Sequence, residues 1–313
     1  MIENIHDEKI LVTGGTGFLG GYVVEELISK GLTPTVLTRN RKMKVFDGLR
    51  DKINFDEIDL LDFSAVRNYI AKFRPDRIIH LAGYVYRTSE QPGILEKSNF
   101  EATVNLLEAA ASAKVKRIVI TGTADEYGFQ NCPQIETMSA MPVSEYAVSK
   151  NKAVNYALAA NQTNGLPVVI TRPFTIYGIG QPAKMFVSQA IEAAVGGVRF
   201  EMSRGEQKRD LLFVTDFVNA IIKLLTADGI EGEIFNLGSG QSVALKEVAK
   251  KIWEIAGANE RLLRIGARPT GESELYDTQA DVSKIKRMLD WKPKVSLDDG
   301  LKLIIEKAKK NLQ

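Results

Sequence analysis

Cysteine and histidine are almost missing from this chain of 313 residues, which has one cysteine, Cys132, and two histidines. A single thiol excludes an intramolecular disulfide, and so few thiols and imidazoles exclude a cysteine/histidine metal centre. Cys132 has no histidine near it in sequence to activate it, so it reads as a loop bystander rather than a nucleophile. An excess of charge of one sign is missing too: 41 Lys and Arg stand against 39 Asp and Glu, which gives no argument for nucleic acid or a membrane surface as partner. No apolar run reaches the length of a membrane span, and Met1 to Lys9 is polar and carries acids, unlike a signal peptide. The expectation is a cytoplasmic protein. Internal repeats and low-complexity tracts are also absent. With 44% apolar and 26% charged residues, the composition is that of an ordinary globular chain with core enough for one or two domains.

The stretch Thr13-Gly14-Gly15-Thr16-Gly17-Phe18-Leu19-Gly20 organises the rest. It lies between an apolar strand, Ile10-Leu11-Val12, and a helix whose apolar positions include Leu19, Val23 and Leu27. A strand feeding such a turn feeds a helix N-terminus, where free N–H groups and the helix dipole favour an anion and glycine admits a pyrophosphate close to the backbone. The spacing Gly14, Gly17, Gly20 is one residue wider at the front than the usual dinucleotide fingerprint. A lone glycine triplet also serves plain tight turns; the strand before it and the amphipathic helix after it supply the dinucleotide context.

Strand and helix then alternate. A second strand around Thr35 to Leu37 ends in Thr38-Arg39-Asn40-Arg41, with Lys42 behind. In dinucleotide folds a carboxylate here accepts from the ribose hydroxyl of NAD, whereas an arginine accommodates the 2′-phosphate of NADP. Arg39 therefore favours NADP(H), with NAD(H) possible, against the alternative of solvated loop charges. A third strand from Phe55 to Ile58 ends in Asp59-Leu60, within reach of the adenine edge. A helix carrying Val66, Ile70 and Phe73 stops at Pro75. Arg77 to Gly83 reads as a buried parallel strand, with His80 as a core histidine satisfied by a backbone partner. A helix with Asn99, Val104, Leu107 and Ala110, a strand Arg117 to Thr121, a helix from Tyr146 past Leu158 and a strand Val168 to Thr171 complete the alternation. This pattern predicts an α/β, Rossmann-type doubly wound parallel sheet. From Pro173 the character changes. Residues 1–172 with about 213–237 are expected to form the dinucleotide-binding domain. Residues 173–212 and 238–313 are expected to form a smaller C-terminal substrate-binding lobe, with the active site in the cleft between.

Tyr146 and Lys150 stand four apart, on one face of a helix. A free phenol titrates near pH 10, too high for easy proton exchange at neutral pH, and a nearby ammonium stabilises the phenolate. Tyr146 is then a credible acid/base for a carbinol or carbonyl oxygen. A surface Tyr/Lys pair is the alternative, and the dinucleotide site upstream with a strand-end hydroxyl at Thr123 argues against it.

Together these residues resemble the extended short-chain dehydrogenase/reductase family of nucleotide-sugar epimerases, dehydratases and ketoreductases. The resemblance runs through Thr13 to Gly20, His80-Leu81-Ala82-Gly83, Asn99, Thr123 to Gly128, Tyr146/Lys150, Arg172-Pro173-Phe174, Arg209-Asp210 and Trp291-Lys292-Pro293. It implies an enzyme with Thr123, Tyr146 and Lys150 as catalytic residues, assisted by Asp125. Thr123 would hold the sugar oxygen, Tyr146 would exchange its proton, and Lys150 would bind the nicotinamide ribose. The dinucleotide would be held by Gly14, Thr16, Gly17, Phe18, Leu19, Arg39, Asp59, Leu60, Leu81, Ala82, Gly83, Asn99, Thr121, Tyr146, Lys150 and Pro173. The substrate, a nucleotide-diphosphate sugar, would meet Tyr84, Thr123, Thr175, Phe186, Val187, Arg209 and Arg268, the two arginines on its diphosphate; for Arg268 a solvated loop charge is the alternative.

The reaction turns on Thr123-Ala124-Asp125-Glu126-Tyr127-Gly128. The best-known dehydratases of the family place Asp then Glu directly after the threonine; Ala124 and Asp125 take those places here, which looks more like the 4-ketoreductases. The implied function is reduction of a 4-keto sugar nucleotide, or the reverse dehydrogenation. A 4-epimerase with tightly bound NAD is the alternative, followed by a 4,6-dehydratase and a non-catalytic dinucleotide sensor. Thr175 replaces the family's usual asparagine after Arg172-Pro173-Phe174. The resemblance also implies a homodimer through the Asn99 and Tyr146 helices, where Ala109, Ala110, Ala111, Ala113, Ala153, Ala157 and Ala160 allow close packing, although packing within one chain would use the same residues.

Overall fold

The computed structural model describes residues 5–39, 52–85, 91, 93–271 and 277–311. Its elements run β1 (Ile10–Thr13), α1 (Phe18–Ser29), β2 (Thr35–Thr38), β3 (Asn54–Glu57), α2 (Phe63–Phe73), β4 (Arg77–His80), a π-helical turn (Glu96–Glu101) leading into α3 (Ala102–Ala111), and β5 (Arg117–Thr121). A 3-10 turn (Ala124–Tyr127), α4 (Glu145–Asn164), β6 (Val168–Pro173), β7 (Thr175–Tyr177), α5 (Phe186–Gly196), β8 (Phe200–Met202) and β9 (Lys208–Phe213) follow. The remainder is α6 (Val214–Thr226), β10 (Ile234–Leu237), β11 (Ser242–Ala244), α7 (Leu245–Ala256), β12 (Leu263–Ile265), α8 (Ser283–Leu289) and α9 (Leu297–Lys310).

Seven strands form one sheet in the order β10-β6-β5-β4-β1-β2-β3, and the pairings from β3 across to β6 are parallel. Every residue of β1, β2, β5 and β6 is buried, which explains why consecutive apolar residues such as Ile118-Val119-Ile120 and Val168-Val169-Ile170 fill their middles instead of an apolar/polar alternation. The chain leaves β1 for β2 and β3 and returns to β4 on β1's other side. That reversal opens a crevice at the carboxyl ends of β1 and β4, the place where doubly wound sheets bind ligands.

Local chemistry sets the helix ends. Asp62 accepts the Ala65 N–H at 3.0 Å to start α2, and Ser144 accepts the Ala147 N–H at 3.1 Å to start α4, each satisfying one otherwise unpaired donor. Gly165, at φ 66°, ends α4 in the left-handed conformation that glycine adopts freely. The expected helix around Asn99 begins instead with the wider π-helical turn.

Two compact units are present. The first comprises Met1–Glu126, Ala140–Arg172 and Val218–Phe235; the second comprises Tyr127–Ser139, Pro173–Phe217 and Asn236–Gln313. Residues 127–139, expected in the dinucleotide-binding domain, thus cluster with the second unit. The reason is visible in long-range polar contacts: Tyr127 donates its hydroxyl to Asn236 Oδ1 at 2.7 Å, and Gln134 N–H bonds the Gln279 carbonyl at 2.8 Å. The second unit is built on a three-stranded sheet, β11-β9-β7, and a two-stranded sheet, β12-β8. Trp291 is buried there, its indole N–H donating to the Asp216 carbonyl at 3.3 Å, while the Asp216 carboxylate takes the N–H groups of Lys294 and Val295. Among the described residues no helix is long and apolar enough to cross a membrane.

Candidate active site

The first unit gathers its polar residues at the carboxyl ends of β1, β2, β4 and β5. Gly14, directly after β1, has φ +70°, and the Gly17 N–H closes the turn on the Gly14 carbonyl at 3.0 Å. A Cβ on Gly20 would collide with that same carbonyl oxygen, so the third glycine is required by the close packing of turn against helix. Helix α1 has no side-chain cap and no acid in its first turn, which leaves its N-terminus receptive to a phosphate. A cavity of about 320 Å³ opens beside it, lined among others by Gly14, Thr16, Arg39, Asp59, Leu60 and Ala82. Arg39 is exposed and makes no hydrogen bond or ion pair with a described residue; Arg41 and Lys42 lie outside the described residues. Asp59 uses Oδ1 to accept the Leu61 N–H at 3.0 Å.

Tyr146 occupies the first turn of α4, half-buried, and Lys150 follows one turn later with 7% of its surface exposed. Burial pushes the Lys150 ammonium from 10.5 down to about 8, against an opposing pull from the Glu126 carboxylate. Its Nζ forms no hydrogen bond with a described residue and lies about one carbon contact from Gly83, 4.0 Å from where a Cβ there would stand. Thr121, at the end of β5, has a buried hydroxyl without a hydrogen-bond partner among the described residues. An uncapped helix N-terminus, an adjacent cavity, a buried hydroxyl and a buried ammonium without hydrogen-bond partners among the described residues fit a dinucleotide, whose phosphates Gly14 to Leu19 could hold and whose nicotinamide ribose Lys150 could meet.

Thr123 and Asp125 flank the start of the 3-10 turn, where Asp125 N–H donates to Thr123 Oγ1 at 3.3 Å. Glu126 behaves differently from its neighbour. It is fully buried; Oε1 accepts the Thr123 N–H at 2.8 Å and Oε2 accepts Arg172 Nε at 2.9 Å. Burial holds its carboxyl above the usual range, with Arg172 and the Thr123 N–H pulling it back. A Cβ at Gly122 would strike Glu126 Oε1. This ion pair spans 46 residues and has no local signal in the motif, where Arg172 is only part of a fingerprint.

Asn99 sits on the π-helical turn with no exposed surface. Its Oδ1 accepts the Tyr84 N–H at 2.7 Å, and its Nδ2 donates to the Tyr84 carbonyl at 3.1 Å and to Ser149 Oγ at 3.0 Å. The amide is thus committed within the protein and fixes Tyr84 and α4. Leu81 continues β4 by donating its N–H to the Thr13 carbonyl at 3.1 Å. His80 is satisfied by side-chain hydroxyls, Thr13 and Thr103, instead of the backbone partner expected.

The remaining candidates belong to the second unit. Pro173 ends β6; Thr175 pairs with Leu211 between β7 and β9. Val187 is buried inside the unit, and Phe186 packs edge-on against Phe200 with ring centres 6.0 Å apart. Arg209 on β9 is half-buried and donates from Nη1 to the Lys208 carbonyl at 2.9 Å. Beside it Asp210, fully buried, accepts from Ser239 N–H, Ser239 Oγ, Gly240 N–H and Ala280 N–H. Arg268 is exposed, with its backbone N–H on the Met202 carbonyl.

A family model, "NAD dependent epimerase/dehydratase family", matches residues 10–238. A UDP-N-acetyl-alpha-D-glucosaminuronate decarboxylase of Bacillus cytotoxicus is 30% identical over 96% of this chain and 97% of its own. The structure of a UDP-glucose 4-epimerase of Thermotoga maritima, with UDP-glucose, superposes with a TM-score of 0.90 at 28% identity, covering 97% of this chain and all of that one. A UDP-glucose 4-epimerase of Thermus thermophilus, in complex with NAD, gives a TM-score of 0.85 at 27% identity over 96% and 98% of the two chains.

Proposed function

The chain belongs to the NAD dependent epimerase/dehydratase family, and on that premise we propose that it reduces the 4-keto group of a nucleoside-diphosphate sugar, or runs the reverse dehydrogenation. The observation that carries the proposal is the state of the two acids after Thr123. Elimination of water from a sugar needs one group to protonate the leaving hydroxyl and another to take a ring proton. Glu126 is committed to Arg172 and the Thr123 N–H, which leaves Asp125 alone and favours chemistry limited to hydride and hydroxyl-proton transfer.

Bound dinucleotide would supply the hydride. Tyr146 would give its proton to the carbonyl oxygen as that oxygen gains charge, and the adjacent Lys150 cation would hold the resulting phenolate. Thr123 would keep the oxygen in line, its backbone fixed by Glu126. Arg209, on a strand anchored through Asp210, would receive the substrate diphosphate. At the other end of the dinucleotide, Arg39 lines the cavity and would pair with a 2′-phosphate, so NADP(H) is the proposed cofactor.

A second reading, 4-epimerisation with retained NAD, is favoured by the likeness to two UDP-glucose 4-epimerases, one of them holding NAD. Nicotinamide-deuterated NADPH and a panel of dTDP-, GDP- and UDP-linked 4-keto-6-deoxyhexoses separate the two. Deuterium on sugar C4 supports ketoreduction; interconversion of UDP-glucose and UDP-galactose without added dinucleotide would replace it with epimerisation.

A further inference from the structure

His80 closes β4 with 1% of its surface exposed and both ring nitrogens engaged: Nδ1 lies 2.6 Å from Thr13 Oγ1, and Nε2 lies 2.8 Å from Thr103 Oγ1. The protons in this row can be counted. A hydroxyl has one, and Thr103 gives its own to the Asn99 carbonyl at 2.7 Å. Thr103 must therefore accept from His80, which puts the ring proton on Nε2 and makes Nδ1 the acceptor for the Thr13 hydroxyl. Thr13 Oγ1 in turn accepts the Ala82 N–H at 3.4 Å. The row begins at the residue before Gly14 and ends at Asn99, whose amide clamps Tyr84 and reaches Ser149. Ser149, between Tyr146 and Lys150, passes its hydroxyl proton to the Tyr146 carbonyl at 2.8 Å.

Resting on the reading of Tyr146 and Lys150 as the catalytic pair, we infer that His80 is a positioning residue: through Thr103 and Asn99 it sets Tyr84 and the first turns of α4 in register with the glycine turn.

A neutral imidazole is a rigid spacer with a donor at one end and an acceptor at the other, and no apolar residue of similar size can impose a direction on such a row. An apolar side chain would bury the same space more simply, so the polar row has to be explained by the arrangement that it selects. The π-helical turn at Glu96–Glu101 belongs to the same arrangement, since a wide turn re-aims a side chain that a regular helix would carry elsewhere. Burial, with the Lys150 charge as a smaller cause, pushes the imidazole down to about 3, so the row keeps its direction throughout neutral pH.

Thr103→Val removes the acceptor at nearly constant volume, and Thr103→Ser keeps it. The measurements are fluorescence titration with NADH and NADPH, Tm, and the pH profile of kcat with the nucleotide sugar of the above panel, UDP-glucose included, that the unaltered protein turns over. Expected for Thr103→Val is a dinucleotide Kd unchanged within about threefold, kcat lower by roughly tenfold or more and a displaced acidic limb; Thr103→Ser restores both. Unchanged kcat and profile in Thr103→Val overturns the inference alone, as does a loss in both variants that merely tracks Tm. Should Thr103→Val not fold, Ser149→Ala, which removes the α4 hydroxyl that the Asn99 amide reaches, takes its place, with the same split expected and unchanged kcat again decisive against. Failure of the unaltered protein to bind either dinucleotide would instead overturn the catalytic reading on which the inference rests.

Discussion

Thr123 donates its backbone N–H to Glu126 Oε1 at 2.8 Å while the second oxygen of that carboxylate takes Arg172 Nε at 2.9 Å. The strand-end threonine is therefore held by a buried ion pair. Removing one member strands a charge in the interior, at a cost of roughly 3–5 kcal/mol. Glu126→Ala is expected to lose that much in urea unfolding, and Asp125→Asn, at a half-buried carboxylate outside that ion pair, to lose less. Equal losses from the two variants would contradict the assignment of Glu126 as the anchor.

Tyr146→Phe keeps the ring and removes the exchangeable proton. Turnover should drop by about 10²–10⁴-fold, the usual share of a positioned acid/base, with dinucleotide affinity unchanged. Retained turnover would remove Tyr146 from the chemistry.

Lys150 opposes stability. Its folded pKa of about 8 lies below the ordinary 10.5, so between those values the unfolded chain binds the extra proton and stability rises with pH. At neutral pH the buried ammonium is a net cost, and Lys150→Met should gain on the order of 1–3 kcal/mol while abolishing turnover. A variant both less stable and inactive would show that Lys150 holds the fold together.

His80 has the same sign in an acidic window. Its folded value of about 3 lies below 6.5; the unfolded chain takes the proton first, and stability is lost as pH falls through that range. The slope reaches at most about 1.4 kcal/mol per pH unit. Unfolding measured between about pH 5 and 6.5 should show it, and His80→Gln should flatten it whatever its effect on the overall level. An unaltered slope would mean that the ring is protonated in the fold.

The sheet and the positions of the residues on its rim are legible because their signals are local. Arg117–Thr121 forms β5 as expected, and Gly14, Gly17 and Gly20 close the turn that their spacing implies. Tyr146 and Lys150 share a helix because they are four apart. Partners far apart in sequence were not legible. Glu126 meets Arg172 across 46 residues, and His80 meets Thr13 across 67 and Thr103 across 23. No periodicity records such pairs, which form only when parallel strands and crossing helices bring them together. Residues 127–139 cluster with the second unit for the same reason, since Tyr127 and Gln134 bond to Asn236 and Gln279. The π-helical turn at Asn99 has no composition of its own, and an ordinary helix was the reasonable expectation.

Arg39 ties the proposed reaction to a cofactor, because a reductase must take up NADPH and release NADP, whereas an epimerase keeps one NAD. The most direct measurement is mass spectrometry of any dinucleotide released from the purified protein on denaturation, followed by fluorescence titration of the emptied site with NADPH and NADH. The account predicts a freely exchanging site that prefers NADPH by roughly tenfold or more, a preference that Arg39→Ala abolishes through loss of about 1.5–3 kcal/mol of charge-assisted bonding. Stoichiometric NAD that survives purification and resists exchange would contradict it and make the protein an epimerase.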